Sequence, residues 1–407
     1  MSAYKFVEKL VDIGDFIGVK WELFITHKWE LTIFVSEFQF LSKAIRSLPE
    51  KFHWLQDKES IYRQRYLDLI MNKESYERFL FRSRFIKALR DFYDENDFIE
   101  IETPVLWSSA SGAAAAPFIT HHNDYDHDFF LRISPETSLK KATVWRFERV
   151  FEIARDFRNE WSDPSHMQEF TMVEHYAVYW NFEDNMKFIE KMFDYLFAKL
   201  NLGKIVQIKD KDWNMNDVNF STPWERIDYI KWVRDASGID VSAYNVWDED
   251  KLRKDIMDKW LKFERMDKMG LNTLIDYLYK KVLRPGIIWP AFVYNYPRTM
   301  QPLARVSDDN PNIVEQFQLV INWWEAVKAY SELVDPIKQW ENFAEQAKNA
   351  AAGDEEATSP DDDFVLAMEY GMPCQSGLGM WIDRIITLLT GQENLRDSIL
   401  FPLTKPN

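Results

Sequence analysis

Apolar and polar positions alternate along much of the chain. Residues 145–179 read WRFERVFEIARDFRNEWSDPSHMQEFTMVEHYAVY, two alternating runs separated by a polar stretch. Period-two alternation predicts strand, loop, strand, with Arg158 and Glu160 at the end of the first strand. Near the N-terminus, GVKWELFITHKWELTIFV predicts a hairpin turning at His27-Lys28-Trp29. Asn72 is suited to cap a helix over 73–97, with Glu74 at the positive end of its dipole. Phe81, Phe85, Leu89 and Phe92 recur at helical spacing and predict its core face. FIEIETPVL (98–106) predicts a strand ending at Pro104. Residues 183–283 read as largely helical, interrupted by a hairpin, KIVQIKDKDWNMNDVNF, that turns at Asp212-Trp213-Asn214. Strand patterns resume at 290–305 and 317–336, and a polar, acidic loop spans 346–363. The final element, from Gly371, is a Gly-containing strand running into a helix with Arg384 at its start.

The length of 407 residues implies two or three domains with a large core. No apolar run reaches the about 18–20 residues that span a bilayer. The first residues lack a signal-peptide core, and the single cysteine, Cys374, excludes an internal disulfide and fits a reducing cytoplasm. A net charge of −16 argues against a broad nucleic-acid surface, so any RNA contact is local. His121 and His122 are adjacent, and on an extended segment they point to opposite faces, which argues against a metal site there. Glycine is scarce, 12 residues, and tryptophan abundant, 17.

Several dispersed motifs carry a resemblance. Phe157-Arg158-Asn159-Glu160, the polar loop, His166 and Phe170 resemble motif 2 of class II aminoacyl-tRNA synthetases. The helix and strand ending at Pro104 resemble motif 1, which builds a dimer interface in that family. GMPCQSGLGMWIDR resembles motif 3. PFITHHN, LRISPE, YRQRYLDLI and AYSELVDP are similar to the lysyl-tRNA synthetases rather than their aspartate or asparagine relatives. The resemblance implies an α+β fold: a class II catalytic domain, an antiparallel sheet flanked by helices, over 56–407, with a helical insertion at about 183–283. Residues 1–55 would be the remnant of an OB-fold anticodon-binding β-barrel. Only about two of the five strands of such a barrel are present, so that domain reads as truncated.

The implied reaction is ATP- and Mg²⁺-dependent activation of L-lysine to lysyl-adenylate, then transfer to tRNA(Lys), by a cytoplasmic homodimer. The resemblance gives Arg158 and Arg384 the catalytic roles. Arg158 would contact the lysine carboxylate and the α-phosphate, Glu160 the adenine amine, and His166 the polyphosphate. Phe170 and Arg384 would sandwich adenine. Glu325 would hold magnesium, with Gln318 standing where the family has a second glutamate. For lysine the resemblance implies Gly112, Glu136 at the α-ammonium, and Glu332 with Tyr176, Tyr330 and Glu174 around the ε-ammonium. An arginine fork suits charge building on phosphorus, and a buried ammonium needs a paired carboxylate. The competing readings are lysyl transfer to a protein acceptor and a non-catalytic dimeric paralogue.

The chain departs from the family's pattern at several positions. Lys328 stands where an asparagine of the lysine pocket is expected, Trp324 where an ATP-site arginine is, and Ala116 where an arginine precedes Pro117-Phe118. Trp29, Trp54, Trp145, Trp161, Trp213, Trp323 and Trp381 all occupy positions where the family has, or a turn favours, glycine. Trp180, Trp224 and Trp324 do not. This pattern predicts a gene whose UGA codons are read as glycine in its source and as tryptophan in this chain.

Overall fold

The computed structural model describes residues 3–48, 57–109, 112–113, 115–144, 146–244, 248–259, 266, 269–351 and 361–406. The expected domain boundary at 55/56, Trp54 and Trp145 lie outside them. The chain divides into two compact units, Met1–Tyr76 and Glu77–Asn407.

The first unit holds helix α1 (Ala3–Leu10) and the antiparallel strands β1 (Phe16–Ile25) and β2 (Leu31–Ser42). Helices α2 (Lys58–Arg63) and α3 (Arg65–Met71) follow. The hairpin turns at His27-Lys28-Trp29 as expected. Trp29 takes φ 65°, the left-handed conformation, and its amide donates to the Thr26 carbonyl (2.9 Å). A two-stranded sheet is not a closed barrel.

Helix α4 (Lys73–Asp94) begins at Asn72, whose Oδ1 accepts from the amides of Glu74 (3.0 Å) and Ser75 (3.4 Å). Phe85, Leu89 and Phe92 are buried and Phe81 packs beside them. The strand expected at 98–106 is much shorter. β3 (Ile99–Glu100) pairs in parallel with only two residues of the next long strand. Thr103 then gives its amide and hydroxyl to the Glu152 carboxylate (3.2 and 2.7 Å), and Pro104 has no N–H to donate. β4 (Leu106–Trp107), β5 (Ile119–His122) and β6 (His127–Leu131) form a small sheet of their own. In it His121 faces Asp128 (2.9 Å) and His122 stacks on Tyr125 (4.4 Å), so the two imidazoles have separate partners.

After α5 (Glu136–Thr143) come β7 (Arg149–Phe157) and β8 (Glu169–Val178), the predicted strand–loop–strand. Then follow α6 (Phe182–Lys199), the hairpin β9 (Ile205–Lys209) and β10 (Met215–Asn219), and β11 (Glu225–Asp228). Asn181 caps α6 with a full capping box, its side chain and that of Asp184 exchanging bonds across the first turn. Helices α7 (Tyr229–Ser237), α8 (Glu249–Asp258) and α9 (Leu271–Leu278) fill the insertion. The chain returns as β12 (Ala291–Pro297), β13 (Ile313–Ile321) and β14 (Trp324–Ser331). It ends with α10 (Pro336–Ala351), α11 (Asp362–Glu369), β15 (Gln375–Trp381) and α12 (Ile382–Leu389).

The central sheet has eight strands in the order β11-β12-β13-β14-β15-β8-β7-β3. It is mixed and mostly antiparallel, with parallel pairs only at its two edges. One apolar cluster joins α4 and α6 to the face carrying Val173, Phe317, Leu319 and Leu378. A second joins α7, α8, α9 and α11 to Val293, Val314 and Tyr330. The two faces carry alternate residues because strand side chains repeat with period two. The result is an α+β unit, as the resemblance implies. No helix of the described residues is long and apolar enough to cross a membrane.

Candidate active site

The period-two rule places Phe170, Met172, Glu174 and Tyr176 on one face of β8, while Val173, His175 and Ala177 pack into the core behind. The neighbouring β15 presents Gly377 opposite Tyr176 and Gly379 opposite Glu174. On its other side Gly377 faces Tyr330 of β14, and Gly379 faces Lys328. Three strands therefore carry polar side chains across a floor made bare by glycine. The bareness is needed: a Cβ on Gly377 would lie 2.3 Å from the Tyr176 ring and 2.4 Å from Glu332 Oε1.

At one end of this floor lies a cage of carboxylates and phenols. Ser134 Oγ donates to Glu174 Oε1 (2.8 Å) and accepts from the Glu136 amide (3.1 Å). The Tyr330 hydroxyl donates to Glu136 Oε1 (2.6 Å), and the Tyr176 hydroxyl to Glu174 Oε2 (3.4 Å). Glu332 is buried just past the end of β14. Gly112 adopts φ +90°, and a Cβ there would sit 3.3 Å from that of Glu136. The fold thus gathers Gly112, Glu136, Glu174, Tyr176, Tyr330 and Glu332 into one cluster, although they span some 220 positions of sequence.

The electrostatics of the cage follow from its burial. Desolvation, reinforced by Asp156 and Glu136, pushes the Glu174 carboxyl well above the usual range. Burial also raises Glu332, to about 8, against the opposing pull of Lys140. Burial and the adjacent carboxylates push the Tyr330 and Tyr176 hydroxyls upward as well.

At the other end lies an aromatic–cationic stack. Phe170 and Trp381 have ring centroids 4.5 Å apart, and the Arg384 guanidinium carbon lies 4.0 Å from the Trp381 ring centre. Arg158 approaches the Phe170 and Trp381 rings at 5.2 and 5.1 Å and is anchored by Nε donating to the Ile133 carbonyl (3.3 Å). Arg384 is held rigidly: Nη1 donates to the Glu325 carbonyl (2.7 Å), while Nε and Nη2 donate to the Ser165 carbonyl (3.3 and 3.2 Å). Its neighbour Asp383 accepts from the Thr171 amide (2.7 Å) and pairs with Arg82 (2.5 Å). Phe170, Arg158 and Arg384 therefore converge on the Trp381 indole, which packs against all three. That indole is 8% exposed.

The loop between β7 and β8 carries the remaining residues. Glu160 is exposed, and its backbone carbonyl accepts from Gln168 (2.7 Å). His166 Nδ1 bonds Asp163 (2.7 Å), which accepts also from the Ser165 amide (2.6 Å). Trp161 projects outward, 96% exposed. Glu325 and Gln318 stand on the β13–β14 hairpin, and the Gln318 Oε1 accepts from the Tyr296 hydroxyl (2.8 Å). Burial would raise the Glu325 carboxyl, but Lys328, Arg384, Arg284 and Lys280 outweigh it and hold the group below its usual value. Lys328 donates to Gln301 (2.8 Å). Among the described residues, no cluster of three or more His, Cys, Asp or Glu could hold a metal ion.

Two residues of this region escape sequence reasoning. Lys140 is wholly buried within the cage, one helical turn after Glu136. The signal was the Glu–Lys spacing of four, which reads equally well as a solvated helix pair. Gly377 is visible only as part of a glycine-containing strand. Its neighbours Tyr176 and Glu332 come from other elements.

A family model described as tRNA synthetases class II (D, K and N) matches residues 57–405. Among curated relatives, the lysine–tRNA ligase of Aquifex aeolicus (strain VF5) is 43% identical over 402 residues, covering 99% of this chain and 66% of the relative. That of Carboxydothermus hydrogenoformans is 43% identical over 406 residues, 100% of this chain and 81% of the relative. That of Thermoanaerobacter pseudethanolicus is 42% identical over 399 residues, 98% and 78%.

Proposed function

The chain belongs to the class II tRNA synthetases of the D, K and N group, and we propose that it activates L-lysine with ATP and transfers it to tRNA(Lys). The observation that carries the lysine assignment is the cage. Three carboxylates, Glu136, Glu174 and Glu332, with the hydroxyls of Tyr176 and Tyr330, suit an amino acid with two ammonium groups. Arg158 stands between this cage and the aromatic stack. Its charge acts on Glu174 on one side, and its guanidinium lies over Phe170 on the other.

The chemistry needs no nucleophile from the protein. A lysine carboxylate oxygen attacks the α-phosphorus, the bond to pyrophosphate breaks, and lysyl-adenylate forms. A terminal ribose hydroxyl of the tRNA then takes the lysyl group and AMP leaves. Charge builds on the α-phosphate in the first step, and the Arg158 fork faces it. Glu136 and Glu332 hold the two ammonium groups, so the carboxylate is presented in one orientation. Phe170 and Arg384 receive the purine, Glu160 its exocyclic amine, and His166 the distal phosphates. Glu325, held ionised by surrounding cations, and the Gln318 amide oxygen suit a magnesium arriving on the phosphates, which needs only one or two protein oxygens. Magnesium there supplies charge neutralisation for the departing pyrophosphate.

Helix α4 and the following segment to Pro104 form a two-fold interface in this reading, and the enzyme works as a cytoplasmic homodimer. Light scattering at micromolar concentration then gives twice the chain mass; a clean monomer counts against it. Residues 1–55 contribute part of an anticodon-binding barrel. Glu332→Gln tests the lysine site. It removes the charge partner of the ε-ammonium, at a cost of about 2–5 kcal/mol, so lysine-dependent pyrophosphate exchange, measured with Trp381→Gly so that the adenine slot is open, is lost while ATP affinity stays the same. Undiminished exchange excludes Glu332 from the pocket.

A further inference from the structure

A lysine side chain already lies inside the cage. Lys140 is 0% exposed, and its Nζ is 2.5 Å from Glu136 Oε1 and ion-paired with Glu332. The rings of Tyr330, Phe364 and Tyr176 surround it at 5.5, 5.6 and 5.8 Å. Every element packed against the ammonium thus contributes either an acid or an aromatic face: Glu136 from α5, Tyr330 and Glu332 from β14 and just beyond, Tyr176 from β8, and Phe364 from α11. Glu174, next to Tyr176 on the face of β8, is the third acid of the cage.

The charge count is informative. With Glu136, Glu174 and Glu332 ionised the cage carries three negative charges, and Lys140 returns one. Two remain. A free diamino acid brings two ammonium groups, and its carboxylate lies with Arg158. Asp156 beside Glu174 and Lys328 near Glu136 add one charge of each sign, so the sum closes with Lys140 included. The hydrogen-bond geometry agrees: Glu136 Oε1 is taken by both Lys140 and Tyr330, whereas Glu332 is engaged by Lys140 and the Gly377 backbone amide. Glu332 is in charge contact with Lys140 yet keeps lone pairs for a second cation.

We infer that Lys140 is a positioning residue for amino-acid selection: its ammonium is the fixed internal counter-charge that spans Glu136 and Glu332 and leaves the cage two charges short, the charge of a diamino acid. This rests on reading the cage as the lysine site. Without Lys140, Glu136 and Glu332 confront one another unscreened. They then hold a shared proton more tightly than Glu332 does beside Lys140, or rotate apart, so an incoming ammonium displaces that proton at greater cost. The opposite behaviour belongs to an internal occupant that substrate must displace; its removal would tighten lysine binding.

The test is isothermal titration of L-lysine into the full chain and into Lys140→Met and Lys140→Arg, from pH 6 to 9, with thermal melting of each. The expected result is at least a tenfold loss of lysine affinity in Lys140→Met at pH 7. The pH of half-maximal binding moves upward, and Lys140→Arg recovers most of both. ATP affinity, read in the same preparations, stays unaltered, which separates loss of the cage from loss of the fold. Should Lys140→Met melt early, Lys140→Arg and Lys140→Gln at a temperature where both are folded give the same comparison. Unchanged or tighter lysine binding in the folded variants overturns the inference. Absence of lysine binding by the unaltered chain overturns the lysine-site reading itself, and the inference with it.

Discussion

Replacing Trp381 by glycine should open the nucleotide slot. The indole packs against both Phe170 and Arg384, the two side chains assigned to adenine, at 4.5 and 4.0 Å from them. A purine cannot enter while it stays there. An aromatic side chain of this kind buries about 150–250 Å². At ~25 cal/mol per Å², fully re-exposing it costs about 4–6 kcal/mol, and about 2–3 if half remains covered. The stacking and cation–π contacts it gives up are remade by the purine, so they cancel and the exposed indole dominates. Even about 2 kcal/mol corresponds to roughly thirtyfold in Kd. Trp381→Gly should therefore bind ATP at least thirtyfold more tightly than the chain as it stands. Trp161→Gly should change little, since that ring already projects into solvent. Isothermal titration with ATP measures both. Equal ATP affinity in the unaltered chain and in Trp381→Gly would refute the occlusion and the assignment of this slot to adenine.

Lysine affinity should depend on pH. Burial raises Glu332 to about 8, so the empty cage takes up a proton as the pH falls below about 8, and burial moves Glu174 in the same direction. Ammonium groups bind the anions, so binding expels protons. Lysine affinity then rises from pH 6 to about 8 and flattens above, and the heat of binding depends on the buffer's ionisation enthalpy; a flat profile contradicts this. The tryptophans should divide into two groups in stability measurements. Trp213 has φ 68° and lies in an exposed turn, where a bulky residue costs about 1–2 kcal/mol. Trp213→Gly should therefore stabilise by about 1 kcal/mol in urea unfolding, the gain trimmed by glycine's greater unfolded-state entropy. Trp224 is buried against Phe193 and Phe292 (5.1 and 5.5 Å), so Trp224→Gly should cost about 3–5 kcal/mol or more. The codons should match, UGA at positions 29, 161, 213, 323 and 381 and UGG at 224; UGG at the first group would end the recoding idea.

The sequence made local features visible where one physical preference dominates. Alternation in 145–179 marks β7 and β8 because the two faces of β8 meet different surroundings, the apolar core behind and the polar floor in front. Asn72 marks the start of α4 because its side chain has orphan amides to accept. The β13–β14 turn is an instance with unusual residues: Asn322 and Trp323 take φ 47° and 59°. Two consecutive positive φ values are the geometry that favours Asn-Gly, which explains why a tryptophan there signals a glycine position. The strand expected at 98–106 shrank to two residues because Thr103 is drawn to Glu152, a partner that sequence spacing does not disclose. The candidate site residues that the fold brings together were named through motif resemblance, not through local pattern. Nothing local says that β14, β15 and β8 lie side by side, and only that adjacency turns Glu136, Glu174 and Glu332 into one cage. Lys140 was hidden for the same reason. A lysine four residues after a glutamate on a helix is ordinarily solvated, and its burial comes from β14, β8 and α11 closing over it.

The central claim, lysine activation, is tested most directly by ATP–pyrophosphate exchange with Trp381→Gly, the variant whose nucleotide slot is open. L-lysine, L-aspartate and L-asparagine are each supplied as the sole amino acid. The cage of Glu136, Glu174 and Glu332 predicts exchange with lysine alone, abolished by adding Glu332→Gln. Exchange driven by aspartate or asparagine, or none with lysine from a variant that binds ATP, would contradict the account.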